Sequence, residues 1–313
     1  MYNQVQDSFQ VFFRTSKGGC GIEYETAKAE LLSVLRDRQT NILLDLPFKM
    51  RMNIYIEDMS DDELCRRAER LGYTHGILRA HEEPYLGEDL EAQHRIRWYE
   101  GWIRIRDKKI LLKEIYRQDE EKLLQEAPHR REFYIERNGE VVEATGHRYR
   151  RGMSPNDAKF IVNIAELQDY EIILDPFAGI GGIVIECRNR HLRIFASDID
   201  TTILPGIAHI SDNKCAISDA RKLPFRDCLF DAVITEPPFG TRYRQSVIES
   251  LPELCRIVKS KIILLIADDM YSDIMGSMSG SGFLLKKEFA LRRHGNLKSH
   301  VLRFDTSQIC CEK

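Results

Sequence analysis

Apolar residues recur in short blocks through the second half of the chain: Ile172–Leu174, Ile194–Ala196, Cys215–Ile217, Phe230–Ile234, Ile262–Ile266, Phe283–Phe289 and His300–Phe304. Helical or loop stretches separate the first five. That alternation is the pattern of right-handed crossover units and predicts a parallel sheet. The last two blocks flank the polar segment Ala290–Lys298, with Gly295 and Asn296 near its tip, which predicts an antiparallel hairpin. Five parallel strands and a hairpin make a seven-stranded, Rossmann-like α/β domain. A helix should precede the first strand. Ser154 is a good N-cap, Pro155 suits the first helical position, and Asp157 favours the positive helix end. Phe160, Ile161, Ile164 and Ala165 then give one buried face.

The first half alternates less regularly. Gln10–Phe13 and Lys49–Ile56 read as strands, and Thr26–Leu35 and Asp61–Leu71 as helices, the second ending at Gly72. Ile103–Ile105 and Ile110–Ile115 read as a hairpin around Asp107–Lys109. These elements predict a smaller α+β domain over residues 1–150, including a linker rich in Arg and Glu. The α/β domain then covers residues 151–313.

Composition narrows the class without naming a function. A chain of 313 residues can bury two cores, and 43% hydrophobic with 30% charged residues is ordinary for a soluble globular protein. A net charge of -3 means that any footprint for nucleic acid must be local. The longest apolar runs are too short to span a membrane, and the first residues carry no signal-peptide pattern. The eight cysteines form no Cys-x-x-Cys pair and no His cluster completes a zinc pattern, so no metal is expected. Dispersed thiols suit a reducing, cytoplasmic setting.

The candidate chemistry lies at the ends of the predicted strands. After Leu174 comes Asp175 and a turn with Gly179, Gly181 and Gly182, which lets backbone pass close to a ligand before the next helix starts. The plain alternative is a tight turn with no ligand. Asp198 ends the second strand about twenty residues on, placed to accept hydrogen bonds from a ribose diol. Asp200 is second choice and serves equally as a helix cap. Asp219 and Ala220 follow the third strand, where an acceptor can meet an adenine amino group. The series of three strand ends carries more than any one of them. The fourth strand ends in Glu236, Pro237, Pro238 and Phe239, followed by Gly240. An exocyclic base amine is a poor nucleophile because its lone pair is conjugated with the ring. A carboxylate and a backbone carbonyl can grip both amine hydrogens and favour a tetrahedral nitrogen. Two prolines fix the turn and leave the Pro237 carbonyl free, while Phe239 offers a face for an extruded base.

These residues resemble a known family. Asp175 to Gly179 together with Glu236 to Gly240 are similar to the amino-methyltransferases whose signature is Asp/Asn/Ser-Pro-Pro-Tyr/Phe. Within them the chain looks most like the tRNA guanine-N2 methyltransferases acting at position ten. The stretch from Arg148 to Pro155, with Asn163 to Ala165, resembles the entry to that family's catalytic domain. The resemblance covers about residues 130–240. It implies a class I methyltransferase fold, S-adenosyl-L-methionine (AdoMet) as cofactor and tRNA as partner. It also implies a cofactor site at Asp175, Phe177, Gly179, Gly181, Asp198, Asp219 and Ala220, and a catalytic loop at Glu236, Pro237, Pro238 and Phe239. The chain departs from the family in two places. Glu236 replaces the usual Asp or Asn and must retract by one methylene. Residues 1–150 show no pattern of the RNA-binding THUMP domain that the family commonly carries.

Basic residues offer a rim for RNA: Arg148, Arg150 and Arg151 before the α/β domain, and Arg242 and Arg244 after the catalytic loop. Lys286, Lys287, Arg292, Arg293, Lys298 and Arg303 lie in the hairpin. Arg151, Arg242, Arg244 and Arg293 are the candidates for substrate contact. The plain alternative is a solvated surface. Trp98, Tyr99 and Trp102 can stack on bases but fit the core of the first domain better. Two rival functions stay open: a DNA adenine-N6 or cytosine-N4 methyltransferase, and a non-catalytic RNA-binding module that keeps the fold. Neither oligomeric state nor the need for a small accessory protein is written in the sequence.

Overall fold

The computed structural model describes residues 8–13, 23–47, 50–80, 101–105, 108–112, 133–137, 140–144, 153–292 and 298–306. The chain divides into two compact units. One comprises Met1–Lys17 with Ile22–His129, the other Gly18–Gly21 with Arg130–Lys313. Among the described residues no helix is long and apolar enough to cross a membrane.

The first unit contains β1 (Ser8–Phe13), α1 (Tyr24–Val34), β2 (Thr40–Leu46), β3 (Arg51–Ile56), α2 (Asp61–Ala68) and β4 (Thr74–Ala80). Its sheet has the order β2-β3-β1-β4, antiparallel throughout. This β-α-β-β-α-β path is the ferredoxin-like arrangement. Alternate residues of β1, namely Phe9, Val11 and Phe13, fill the core. Glu30 of α1 is fully buried, and its two oxygens accept the Gly72 and Tyr73 amides at 2.8 Å each, pinning the helix to the turn before β4. β5 (Gly101–Ile105) and β6 (Lys108–Leu112) form the expected hairpin, with Ile103 opposite Ile110.

The second unit opens with a hairpin of β7 (Phe133–Arg137) and β8 (Glu140–Ala144), in the stretch that the sequence reads as a linker. α3 (Pro155–Ile164) begins as expected: the Ser154 side chain accepts the Asp157 amide at 3.1 Å. There follow β9 (Ile172–Asp175), α4 (Gly182–Asn189), β10 (Arg193–Asp198), α5 (Leu204–Ile210), β11 (Cys215–Ile217) and β12 (Phe230–Thr235). The chain continues through α6 (Thr241–Ile257), β13 (Val258–Ala267), α7 (Tyr271–Met278), β14 (Phe283–Arg292) and β15 (Lys298–Thr306). The sheet order is β11-β10-β9-β12-β13-β15-β14. The first five are parallel, and β15 runs antiparallel to both neighbours. Ile262 to Ile266 are wholly buried, as a parallel strand covered on both faces requires. The strand order reverses between β9 and β12, so their carboxyl ends flank the crevice where such sheets bind ligands.

Candidate cofactor and catalytic site

The glycine turn after β9 divides into two jobs. Gly179 and Gly181 both have positive φ, +51° and +83°. A Cβ on Gly179 would meet nothing nearer than the Phe177 carbonyl at 4.0 Å, so space for a ligand lies beside it. A Cβ on Gly181 would sit 2.0 Å from Ile210 Cδ1. The Cβ direction of Gly181 is therefore taken by Ile210, which packs α5 against the start of α4. Asp198 braces the same turn: its Oδ2 accepts the Gly179 amide at 2.8 Å and its Oδ1 the Asp200 amide at 3.0 Å. Asp200 accepts the Thr202 amide and hydroxyl at 2.9 and 2.7 Å, a local turn that holds its own helix approach.

At the ends of β10 and β11 stand two exposed apolar residues that sequence reading passed over. Ile199 is 64% exposed beside Asp198, and Ile217, paired in register with Asp198, is 49% exposed. An isoleucine set between two aspartates at a strand tip was the available signal. Asp219 lies just past β11 with Ala220 buried after it. Arg221 grips both Asp219 oxygens and holds the carboxyl below its usual range.

The cofactor turn and the catalytic loop meet through one buried bond. Asp175 is 1% exposed and Thr235 wholly buried, and the Thr235 hydroxyl donates to Asp175 Oδ1 at 2.7 Å. The Phe177 amide donates to the same oxygen at 3.3 Å. Burial pushes the Asp175 carboxyl up to about 7, against the pull of these two hydrogen bonds. The nearby Asp198 and Glu236 carboxylates add to the rise. Next in the chain, Glu236 is half-buried, Pro237 buried, and Pro238 and Phe239 half-buried. Gly240 closes the loop at φ +108° and ψ 149°, a conformation essentially reserved to glycine, and α6 starts at the next residue.

The proposed basic rim is thinner than the sequence suggests. Arg242 is exposed, with its guanidinium 4.4 Å from the Tyr243 ring centroid. Arg244 is paired with Asp273 of α7. Arg151 and Arg293 lie outside the described residues, as do Arg148 and Arg150. Lys287 and Arg303 are engaged elsewhere. Both pair with Glu166, at 2.6 and 2.8 Å, and Arg303 also binds Asp305 and the Ile164 carbonyl. They brace the hairpin against the end of α3. Arg292 and Lys298 remain exposed, opposite each other in register and adjacent to Ser299, which pairs with the last residue of β13. Trp98 and Tyr99 also lie outside the described residues.

No family model matches the chain. The tRNA (guanine(10)-N2)-dimethyltransferase of Methanothermobacter thermautotrophicus is 33% identical over 144 residues, 44% of this chain and 38% of that protein. Human tRNA (guanine(10)-N(2))-methyltransferase TRMT11 is 26% identical over 108 residues, 26% of this chain and 23% of that protein. The chain thus matches less than two fifths of either relative's length. Among solved structures, TrmN from Thermus thermophilus superposes with a TM-score of 0.54 at 17% identity, covering 96% of this chain and 99% of that one. The likeness to TrmN establishes the fold, and the two relatives similar in sequence are named as tRNA guanine-N2 methyltransferases.

Proposed function

We propose that this chain is an AdoMet-dependent methyltransferase that modifies the exocyclic N2 of guanine in tRNA. The observation that carries the reading is the buried Thr235–Asp175 hydrogen bond at 2.7 Å. It ties the strand of the glycine turn to the strand of the Glu-Pro-Pro-Phe loop at the sheet's reversal point. The residues fit the cofactor: open space at Gly179, a carboxylate at each of three strand tips, and the apolar side chains of Ile199 and Ile217 beside them. Asp175 and the turn would hold the methionine end, Asp198 the ribose, and Asp219 with Ala220 the adenine. When bound, the cofactor supplies an electrophilic methyl group.

The chain's own residues prepare the acceptor. A Glu236 oxygen accepts one amine hydrogen and the Pro237 carbonyl the other, which turns the nitrogen lone pair out of conjugation. Phe239 stacks on the extruded base. Glu236 or water takes the proton once the nitrogen is methylated. Arg242, with Arg244, Arg151 and Arg293, would contact tRNA phosphates. Free thiols at Cys187, Cys215 and Cys255 suit action in the cytoplasm.

The test is transfer of labelled methyl to unmodified tRNA transcripts, with duplex DNA in parallel and nucleoside digestion afterwards. Label in N2-methylguanosine is expected. Label only in DNA would keep the chemistry of Glu236 and overturn the substrate.

A further inference from the structure

The ion pair at the adenine end of the site does more than join two surface charges. Asp219 Oδ1 accepts the Arg221 amide at 2.9 Å and Nε at 3.0 Å, and Oδ2 accepts the Arg221 NH2 group at 2.6 Å and Nε at 3.1 Å. A carboxylate offers about four lone-pair directions. The Nε hydrogen is shared between the two oxygens, so three hydrogens meet these directions and one is left for a ligand donor. The remaining guanidinium nitrogen of Arg221 reaches Glu249 Oε2 at 3.2 Å, and Glu249 Oε1 accepts the Gln245 side-chain amide at 3.0 Å. Both partners sit on α6, the helix that begins one residue after Gly240. One turn further along, Glu253 accepts the Leu223 amide at 2.8 Å, and Arg256 donates to the Phe225 carbonyl at 2.9 Å. The segment after β11 is thus stitched along α6.

We propose that Arg221 is a positioning residue: held by Glu249 and Gln245, it fixes the Asp219 carboxylate so that one oxygen faces the cofactor's adenine amino group, and it links adenine recognition to the helix behind the catalytic loop. The proposal rests on the assignment of Asp219 above. Lysine cannot replace Arg221, because a point charge does not hold both oxygens in one plane. An ion pair this exposed contributes little to folding. Its loss should therefore appear in recognition while the fold stays intact.

The experiment is titration calorimetry of the full chain with S-adenosylhomocysteine and with S-inosylhomocysteine, in which a carbonyl oxygen replaces the amino group. Wild-type protein should prefer the adenine ligand by about tenfold or more, the worth of one hydrogen bond to a charged acceptor. Arg221→Ala should remove most of that preference through the adenine ligand alone, with an unchanged melting curve. Arg221→Lys should not restore it, and Glu249→Gln should lower it part of the way. An unchanged preference in Arg221→Ala, or equal weakening of both ligands, would overturn the proposal. Wild-type protein that binds both ligands equally would remove Asp219 from the adenine site and the proposal with it. Wild-type protein that binds neither would fail the methyltransferase reading itself.

Discussion

Asp175→Asn should change how stability depends on pH. The substitution keeps an oxygen to accept from Thr235 and Phe177 and removes the ionisable group from a position that is 1% exposed. The carboxyl titrates at 3.8 when free and at about 7 in the folded chain, chiefly because burial penalises its charge. Between those values the folded chain holds a proton that the unfolded chain has lost, so stability falls as pH rises through the window. Above the folded value the cost is complete, on the order of 4 kcal/mol. Asparagine carries no such cost. Urea denaturation of both proteins across the range should therefore show them close together at about pH 4. The variant should gain progressively until the difference levels off above neutrality. Carboxylates not coupled to Asp175 titrate in both and cancel in the difference, and the coupling to Asp198 and Glu236 is part of what the difference reads. A difference that stays constant with pH would refute the argument, because it would mean that Asp175 ionises in place as freely as in water. With the cofactor's ammonium group bound beside it, Asp175 should lose its proton, so wild-type affinity for S-adenosylhomocysteine should rise with pH where that of Asp175→Asn does not.

Glu236→Ala should abolish turnover yet leave cofactor affinity nearly intact in calorimetry, and equal loss of both would sink the division between the two loops. Gly181→Ala should destabilise by about 3 kcal/mol or more, since it adds a left-handed alanine to a clash with Ile210; an Ile210→Ala partner change should recover part in thermal melts. Gly179→Ala, which meets open space, should fold better than Gly181→Ala and lose cofactor affinity. Arg303→Ala should cost about 1–2 kcal/mol by leaving Asp305 and the Ile164 carbonyl without their partner while Glu166 keeps Lys287, with no specific loss of tRNA affinity in filter binding. Arg242→Ala should do the reverse.

How much was legible follows the way each strand is buried. β9, β12 and β13 are short apolar blocks because both of their faces are covered, β10 and β11 leave Phe195 and Ile217 exposed, and each of the five blocks falls inside the strand observed. In the four-stranded sheet of the first unit, the two strands that sequence reading found, β1 and β3, are the central pair. The two it missed, β2 and β4, are the edges. β2 leaves Ile42 in solvent, and β4 carries Gly76 in its middle, so neither presents a clean alternation. The hairpin of β7 and β8 is five residues a strand and carries Glu136, Arg137, Glu140 and Glu143, which reads as linker.

Residue types and their order along the chain determined the class of this protein by themselves. Acidic residues and glycines at successive strand ends, then Glu-Pro-Pro-Phe at the fourth, need no coordinates to be recognised, because a parallel sheet delivers every such end to the same edge. Tertiary structure decided what each residue is available to do. A side chain at Gly181 would meet Ile210, from a helix some thirty residues on, whereas one at Gly179 would meet only the Phe177 carbonyl at 4.0 Å. Burial raises the pKa of Asp175 against the pull of Thr235, sixty positions on, and Lys287 and Arg303 are claimed by Glu166, more than a hundred positions earlier. Desolvation and charge pairing depend on distances between atoms, and those distances exist only once the chain has closed on itself.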